Sequence, residues 1–227
     1  MPKDIIVAID GYSGVGKSST AKAVARQLAY TYIDSGAMYR AATLYFIRQQ
    51  VNIQDAQTVR EALSAIHITF QPHPGGQGSE TYLNGENVEK EIRGMTVSNQ
   101  VSPVSALPEV RQAMVAQQRA MGQQKRVVMD GRDIGTNVFP GAELKIFMNA
   151  DPTVRAQRRQ AELLEQGQTV PVADIAQNLA QRDQLDTSRE ENPLTVAEGA
   201  IILDTTHLTF AEQVQQVVAL AQTIIHS

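Results

Sequence analysis

An α/β fold built on a parallel core sheet, with a small antiparallel sheet inserted into it, is what the 227-residue sequence predicts. Three features carry that expectation. Short apolar, β-branched runs alternate with helical segments along the chain, as parallel-sheet proteins do. The first run passes through a glycine-rich loop directly into a helical stretch. Residues 66–90, by contrast, alternate with period two and are broken by turn formers, the mark of antiparallel pairing.

Taken in order, residues 5–9 are five apolar residues that fit a buried parallel strand, and 19–28 have helical composition. Residues 30–33 make a second strand that leads into Asp34-Ser35-Gly36. Helices follow at 37–48 and 54–65, and the spacing of their apolar residues assigns Leu44, Phe46, Ile47, Val59 and Leu63 to the core. Residues 67–71 and 80–83 alternate as strands, 72–79 are dense in turn formers, and Asn84-Gly85 is a hairpin signal with 86–88 as its return strand. Helical character resumes towards Ser102 and again over 108–121. Residues 126–129 form a buried strand ending in Asp130-Gly131-Arg132-Asp133, and 144–148 form another. Asp151-Pro152 then suits the N-cap and first position of a helix carrying Arg155, Arg158 and Arg159. Residues 200–204 are the last strand and 210–225 an amphipathic final helix.

With 42% apolar and 19% charged residues the chain reads as an ordinary globule with one substantial core. The absence of cysteine excludes disulfides, thiolate chemistry and Cys-ligated zinc, and the four histidines have no ligand spacing. The leading apolar run is too short for a secretory signal, and no segment is long enough to span a bilayer. A net charge of −4 argues against a general nucleic-acid binder. The distribution of cations says more: fourteen of the twenty basic residues are Arg, clustered at Arg132, at Arg155-x-x-Arg158-Arg159, and at Arg182 and Arg189. Arg grips phosphate oxygens two at a time and keeps its charge. Isolated examples such as Arg26, Arg48 and Arg60 read as solvated surface charges.

Gly11-Tyr12-Ser13-Gly14-Val15-Gly16-Lys17-Ser18 reads G-x-x-x-x-G-K-S, the phosphate-cradling loop. Its glycines let the backbone approach an anion, while successive amides and a helix N-terminus face it. Lys17 adds a cation and Ser18 a hydroxyl for Mg²⁺; Ser19 opens the helix. Asp130, at the tip of an apolar strand, is the candidate second carboxylate for that ion, with a turn or N-cap role as the alternative. Arg155, Arg158 and Arg159 share one helix face, where like charges repel unless an anion lies among them.

Residues 11–20, Asp34-Ser35-Gly36-Ala37-Met38-Tyr39-Arg40, Asp130-Gly131-Arg132-Asp133-Ile134-Gly135-Thr136, the 155–159 arginines and Arg182-Asp183-x-x-Asp186-x-x-Arg189 together resemble the bacterial cytidylate kinases, among the nucleoside monophosphate kinases. The resemblance runs over almost the whole chain. It implies transfer of the γ-phosphoryl group of ATP, with Mg²⁺, to CMP or dCMP by a monomeric cytoplasmic enzyme. It further implies a single P-loop kinase domain over 1–227 of three-layer α/β/α form, a monophosphate-binding region at 36–105 containing the insert at 66–90, and a lid at 153–170.

By resemblance Gly11, Ser13, Gly14, Val15, Gly16, Lys17, Ser18 and Ser19 hold the donor, and the lid arginines Arg155, Arg158 and Arg159 swing onto its phosphates. Ser35, Arg40, Arg132 and Arg189 match groups that hold the monophosphate, and Arg182 and Asp186 those that meet the sugar. Ser102, Arg111 and Asp133 match the readers of the cytosine edge, although Asp133 could instead orient Arg132 through a salt bridge. Lys17, Arg132, Arg158 and Arg159 would be the groups stabilising transferred charge. Tyr12 stands where relatives often carry Pro, a departure expected to leave activity undisturbed. A regulatory GTPase would need Asp-x-x-Gly and Asn-Lys-x-Asp strings, and neither occurs. A kinase of the same fold acting on UMP, AMP or shikimate remains the serious alternative, because fold and loop do not determine substrate.

Overall fold

The computed structural model describes residues 2–72, 79–165 and 167–227. Of the expected turn-rich stretch at 72–79, residues 73–78 lie outside the described residues. Along the chain run β1 (Ile6–Gly11), α1 (Lys17–Leu28), β2 (Thr31–Asp34), α2 (Ser35–Arg48), α3 (Ala56–Ser64), β3 (Ile68–Pro72), β4 (Ser79–Leu83) and β5 (Glu86–Asn87). They are followed by α4 (Met95–Ser105), α5 (Pro108–Met121), β6 (Val127–Gly131), β7 (Leu144–Asn149), α6 (Pro152–Glu165), α7 (Val172–Ser188), β8 (Ile201–Asp204) and α8 (Phe210–Ile225). A 3-10 turn spans Glu91–Arg93 and a π-turn spans Ile134–Val138.

The larger sheet has the order β2-β6-β1-β7-β8, and β1 pairs in parallel with both β6 and β7. All of β1 is buried, which explains its nearly unbroken apolar sequence: a central parallel strand is covered on both faces. The chain separates into two compact units, residues 1–32 with 125–227, and residues 33–124. In the first, Val7, Ile9, Val128, Ile146 and Met148 of the sheet pack with Val24 of α1 and with Val214, Val217 and Ala221 of α8. The eight Val, Ile and Met side chains among them contribute about 1.5–3 kcal/mol each. α8 starts where it does because Thr209 and Glu212 close a capping box, the Thr209 amide donating to Glu212 Oε2 at 2.8 Å and the Glu212 amide to Thr209 Oγ1 at 3.3 Å.

In the second unit β3, β4 and β5 form the expected antiparallel sheet. Asn84 and Gly85 both have positive φ, 50° and 85°, the requirement of the tight hairpin their sequence announced. α2 packs against α4 and α5, and α3 against α5. Asp34 caps α2, accepting the Ala37 amide at 2.8 Å. Leu44, Phe46, Val59 and Leu63 are buried as expected, whereas Ile47, beside the exposed Arg48 that ends α2, is only half-buried.

One helix went unanticipated. α7 runs over Val172–Ser188 in a sequence rich in Gln and Asp, and its buried apolar residues are just Ile175 and Leu179. These pack on Ala156 of α6. A stripe that thin leaves no clear helical period in the sequence.

Candidate active site

The carboxyl ends of β1, β6, β7 and β8 converge in the first unit, the edge at which open parallel sheets bind ligands. From β1 the chain enters the glycine loop. Gly11 cannot be replaced without disruption, because a Cβ there would lie 2.0 Å from the Met148 carbonyl oxygen. Gly14 and Gly16 take left-handed φ values of 77° and 87°. Gly16 is the N-cap of α1 and has no side chain to satisfy the first-turn amides, so these donors and the positive end of the helix suit a phosphate.

Lys17 is 6% exposed, and its Nζ donates to the Tyr12 carbonyl at 2.6 Å, inside the same loop. Burial, and next the Arg132 charge, hold its ammonium pKa well below the usual lysine value. Ser18 Oγ donates to Asp130 Oδ2 at 2.8 Å, and Tyr32 donates to Asp130 Oδ1 at 2.8 Å. Asp130 lies inside β6, which removes the turn and N-cap alternatives. A hydroxyl and a carboxylate this close are the hard-oxygen donors that Mg²⁺ takes together with phosphate oxygens, so the residues fit that ion.

Ser13 is bound from several sides. Arg132 Nη2 donates to its Oγ at 2.7 Å, Arg155 Nη1 to its carbonyl at 3.1 Å, and its own amide donates to Asp183 Oδ1 at 3.4 Å. Arg155 is buried, pairs with Asp183 Oδ2 at 2.5 Å and stacks 5.3 Å from the Tyr12 ring centre. Arg132 Nε donates to Asp186 Oδ2 at 2.6 Å, while Asp133 lies 3.3 Å from Arg189 Nη2. The ion pair of Arg132 is therefore with α7, and Asp133 pairs with Arg189. Burial and then the nearby Arg132 charge lower the pKa of half-buried Arg182. Arginines 132, 155 and 189 thus each meet a carboxylate, two of the three carboxylates coming from the unanticipated α7, and the first two arginines also bind Ser13 of the loop.

The three arginines of α6 part company. Arg158 donates to Thr205 Oγ1 at 3.0 Å and to the Thr205 carbonyl at 2.6 Å, and Arg159 pairs with Glu162 at 2.9 Å on the surface. Each has its own acceptor, which removes the repulsion their spacing suggested. Asp151 caps α6 as expected, accepting the Thr153 amide at 2.7 Å, and that bond first, then the Val154 amide, lowers its pKa.

Two features had no counterpart in the sequence reading. A cavity of about 520 Å³ is lined by Tyr12, Asn149, Asp151, Arg155, Asp204, Thr206 and His207. Tyr12, which also meets Phe147 edge-on at 5.7 Å, is part of its wall. The second is Asp10, 4% exposed, whose carboxylate accepts the amides of Ile134 and Gly135 at 2.8 and 2.7 Å. Burial outweighs those bonds and pushes its pKa up to about 6. The favourable contribution of the protonated group is complete below the ordinary value of 3.8 and lost above about 6, so ionised Asp10 costs about 3 kcal/mol at neutral pH. An acidic residue ending an otherwise apolar strand was the available signal for it.

In the second unit Ser35 is buried at the first position of α2. Arg40 Nη1 donates to Ser98 Oγ at 2.9 Å and to the Ile92 carbonyl at 3.3 Å. Ser102 is exposed on α4, and Arg111 is buried on α5 with its guanidinium 5.8 Å from the Tyr39 ring centre. Among the described residues no group of three or more His, Cys, Asp or Glu is arranged to hold a metal, and no helix is long and apolar enough to cross a membrane.

Residues 7–223 match the model of the family described as cytidylate kinase. A cytidylate kinase of Cytophaga hutchinsonii is 56% identical over 219 residues, covering 96% of this chain and 94% of the relative. One from Bacteroides thetaiotaomicron is 53% identical over 214 residues, covering 93% of each chain. Among solved structures, an uncharacterized protein from Eubacterium ventriosum aligns with a TM-score of 0.52 at 11% identity, over 97% of this chain and 99% of the other. That likeness concerns the fold alone.

Proposed function

The chain belongs to the cytidylate kinase family, and on that premise we propose that it transfers the γ-phosphoryl group of ATP to CMP or dCMP, releasing ADP and the diphosphate. The observation that carries the reading is Arg132, which joins the glycine loop through Ser13 and pairs with Asp186, next in sequence to Asp133, which pairs with a further arginine, Arg189. One anion site serves a donor; a second arginine cluster beside it suits an acceptor that is itself phosphorylated.

Phosphoryl transfer needs alignment and positive charge more than covalent help. The loop amides, Lys17, Ser18 and Ser19 would hold the donor's phosphates. Mg²⁺ bound by Ser18 and Asp130 would neutralise charge on those oxygens. Arg155, Arg158 and Arg159, in a lid at 153–170, would exchange Asp183, Thr205 and Glu162 for phosphate oxygens. On the acceptor side Arg132 and Arg189 would hold the monophosphate, Arg182 and Asp186 the sugar, and Asp133 the base. By the family resemblance Ser35 and Arg40 would serve a monophosphate, and Ser102 and Arg111 a base. The enzyme would act as a cytoplasmic monomer, with the monophosphate-binding region at 36–105.

Metal dependence follows. Asp130→Asn is expected to raise the Mg²⁺ concentration for half-maximal rate about tenfold or more, with the KM for CMP changed less than about twofold. An Mg²⁺ titration of wild type and variant measures it, and unchanged Mg²⁺ demand would remove Asp130 from the metal site.

Substrate choice is tested by ADP release over a panel of CMP, dCMP, UMP, AMP and shikimate. Cytosine offers an amine donor where uracil offers a carbonyl acceptor, and a carboxylate accepts from the first and is repelled by the second. CMP is expected to exceed UMP by orders of magnitude in kcat/KM. Asp133→Ala should narrow that ratio about ten- to a hundredfold, the span of about 1–3 kcal/mol for one such contact. Equal loss on both substrates would make Asp133 a support for Arg189 and return base reading to Ser102 and Arg111. A preference for shikimate or AMP would overturn the reading.

A further inference from the structure

We propose that Asp10 is a positioning residue for the acceptor side of the reaction, holding Arg132 and Asp133 in place by anchoring the turn after β6. The inference rests on the reading of those two residues as acceptor groups.

The argument is geometric. Asp10 ends up opposite Gly131 in the β1–β6 ladder, so the chain is registered there against this residue's backbone. Three and four residues later the amides of Ile134 and Gly135 return to the same residue, each to its own carboxylate oxygen, at 2.8 and 2.7 Å. Arg132 and Asp133 therefore occupy a two-residue span tied at both ends to Asp10, which leaves their backbone little freedom. The far end of the span opens a π-turn, Ile134–Val138, a local irregularity that a helix does not hold without support. The fit is close: a Cβ on Gly135 would lie 3.3 Å from Asp10 Oδ2 and 3.3 Å from the Ala197 Cβ.

The chemistry of the group agrees. A carboxylate accepts both amides at once, whereas the side-chain amide of Asn accepts one and turns its own donors towards the other. Asp10 carries this charge in an almost fully buried position, where it works against stability, which suits a functional constraint better than a packing role. Gly11, the next residue, is registered opposite Met148 in the β1–β7 ladder, so the donor loop has an anchor of its own.

The test is steady-state kinetics of Asp10→Asn with each substrate varied, together with thermal unfolding. The KM for CMP is expected to rise about ten- to a hundredfold, as for loss of a hydrogen bond to a charged group, with the KM for ATP within about twofold and Tm not lowered. The CMP-to-UMP ratio should narrow as well. Gly135→Ala, which crowds the same contact and leaves the Asp10 charge in place, should give the same split between the two KM values and serves if Asp10→Asn does not fold. Both KM values unchanged, or both raised alike, would overturn the proposal. Arg132→Ala run in parallel separates the two levels: if it spares the KM for CMP, the acceptor reading itself has failed, and if it raises that KM while both other variants do not, only the role of Asp10 has failed.

Discussion

Lys17→Ala is expected to lower kcat about a hundred- to a thousandfold while leaving the fold intact, the size of effect seen when one fixed electrostatic contact to a developing charge is removed. The residue sits at the first position of α1 with its Nζ on the Tyr12 carbonyl at 2.6 Å, so the ammonium is held within the loop before any anion arrives. Burial and the neighbouring Arg132 charge disfavour its protonated form, and a triphosphate relieves both by supplying opposite charge. Circular dichroism and Tm report the fold, and coupled ADP release reports turnover. Retention of more than about a tenth of wild-type activity would contradict the assignment of the loop, given that magnitude.

Arg132→Ala is expected to raise the KM for CMP about a hundredfold, in line with about 3 kcal/mol for a charged, two-pronged phosphate contact. The KM for ATP should rise much less. Some donor effect is expected all the same, because Arg132 Nη2 supports Ser13 of the loop at 2.7 Å. Its guanidinium is already oriented, with Nε on Asp186 at 2.6 Å, so little side-chain entropy remains to be lost on binding. Arg132→Lys should recover little, since a point charge cannot hold Asp186, Ser13 and a phosphate in the same fork. Equal effects on both substrates would move Arg132 to the donor side or to a supporting role.

The parts of the site legible in the sequence were those whose chemistry depends on neighbours along the chain. The glycine loop with Lys17 and Ser18 is read from spacing alone, because its amides, its left-handed glycines and the first turn of α1 are consecutive. The Asn84-Gly85 hairpin and the Asp151-Pro152 helix start are of the same kind. α7 was not legible, since a helix whose buried apolar face is two residues, packed on Ala156 of α6, carries no strong period. The pairings of the arginines were not legible either. Asp133 stands next to Arg132 in sequence, yet Arg132 pairs with Asp186 and Asp133 with Arg189, because consecutive side chains at the end of a strand leave in different directions.

By itself the sequence determined the α/β class, the antiparallel insert, the phosphate loop and, through motifs spread over nearly the whole chain, the cytidylate kinase family. The first three follow from local rules of periodicity, turn chemistry and spacing, and the family from the resemblance that those motifs carry. Only the tertiary structure decided what each charge in the site meets: that Asp130 holds Ser18, that α7 supplies Asp183 and Asp186 to Arg155 and Arg132, and that Asp10 bridges more than a hundred residues to Ile134 and Gly135. The physical reason is the parallel sheet. Each pair of neighbouring strands is separated by a long crossover, so the residues that meet at its carboxyl edge are remote in sequence, and hydrogen bonds and ion pairs act over a few ångströms regardless of that separation.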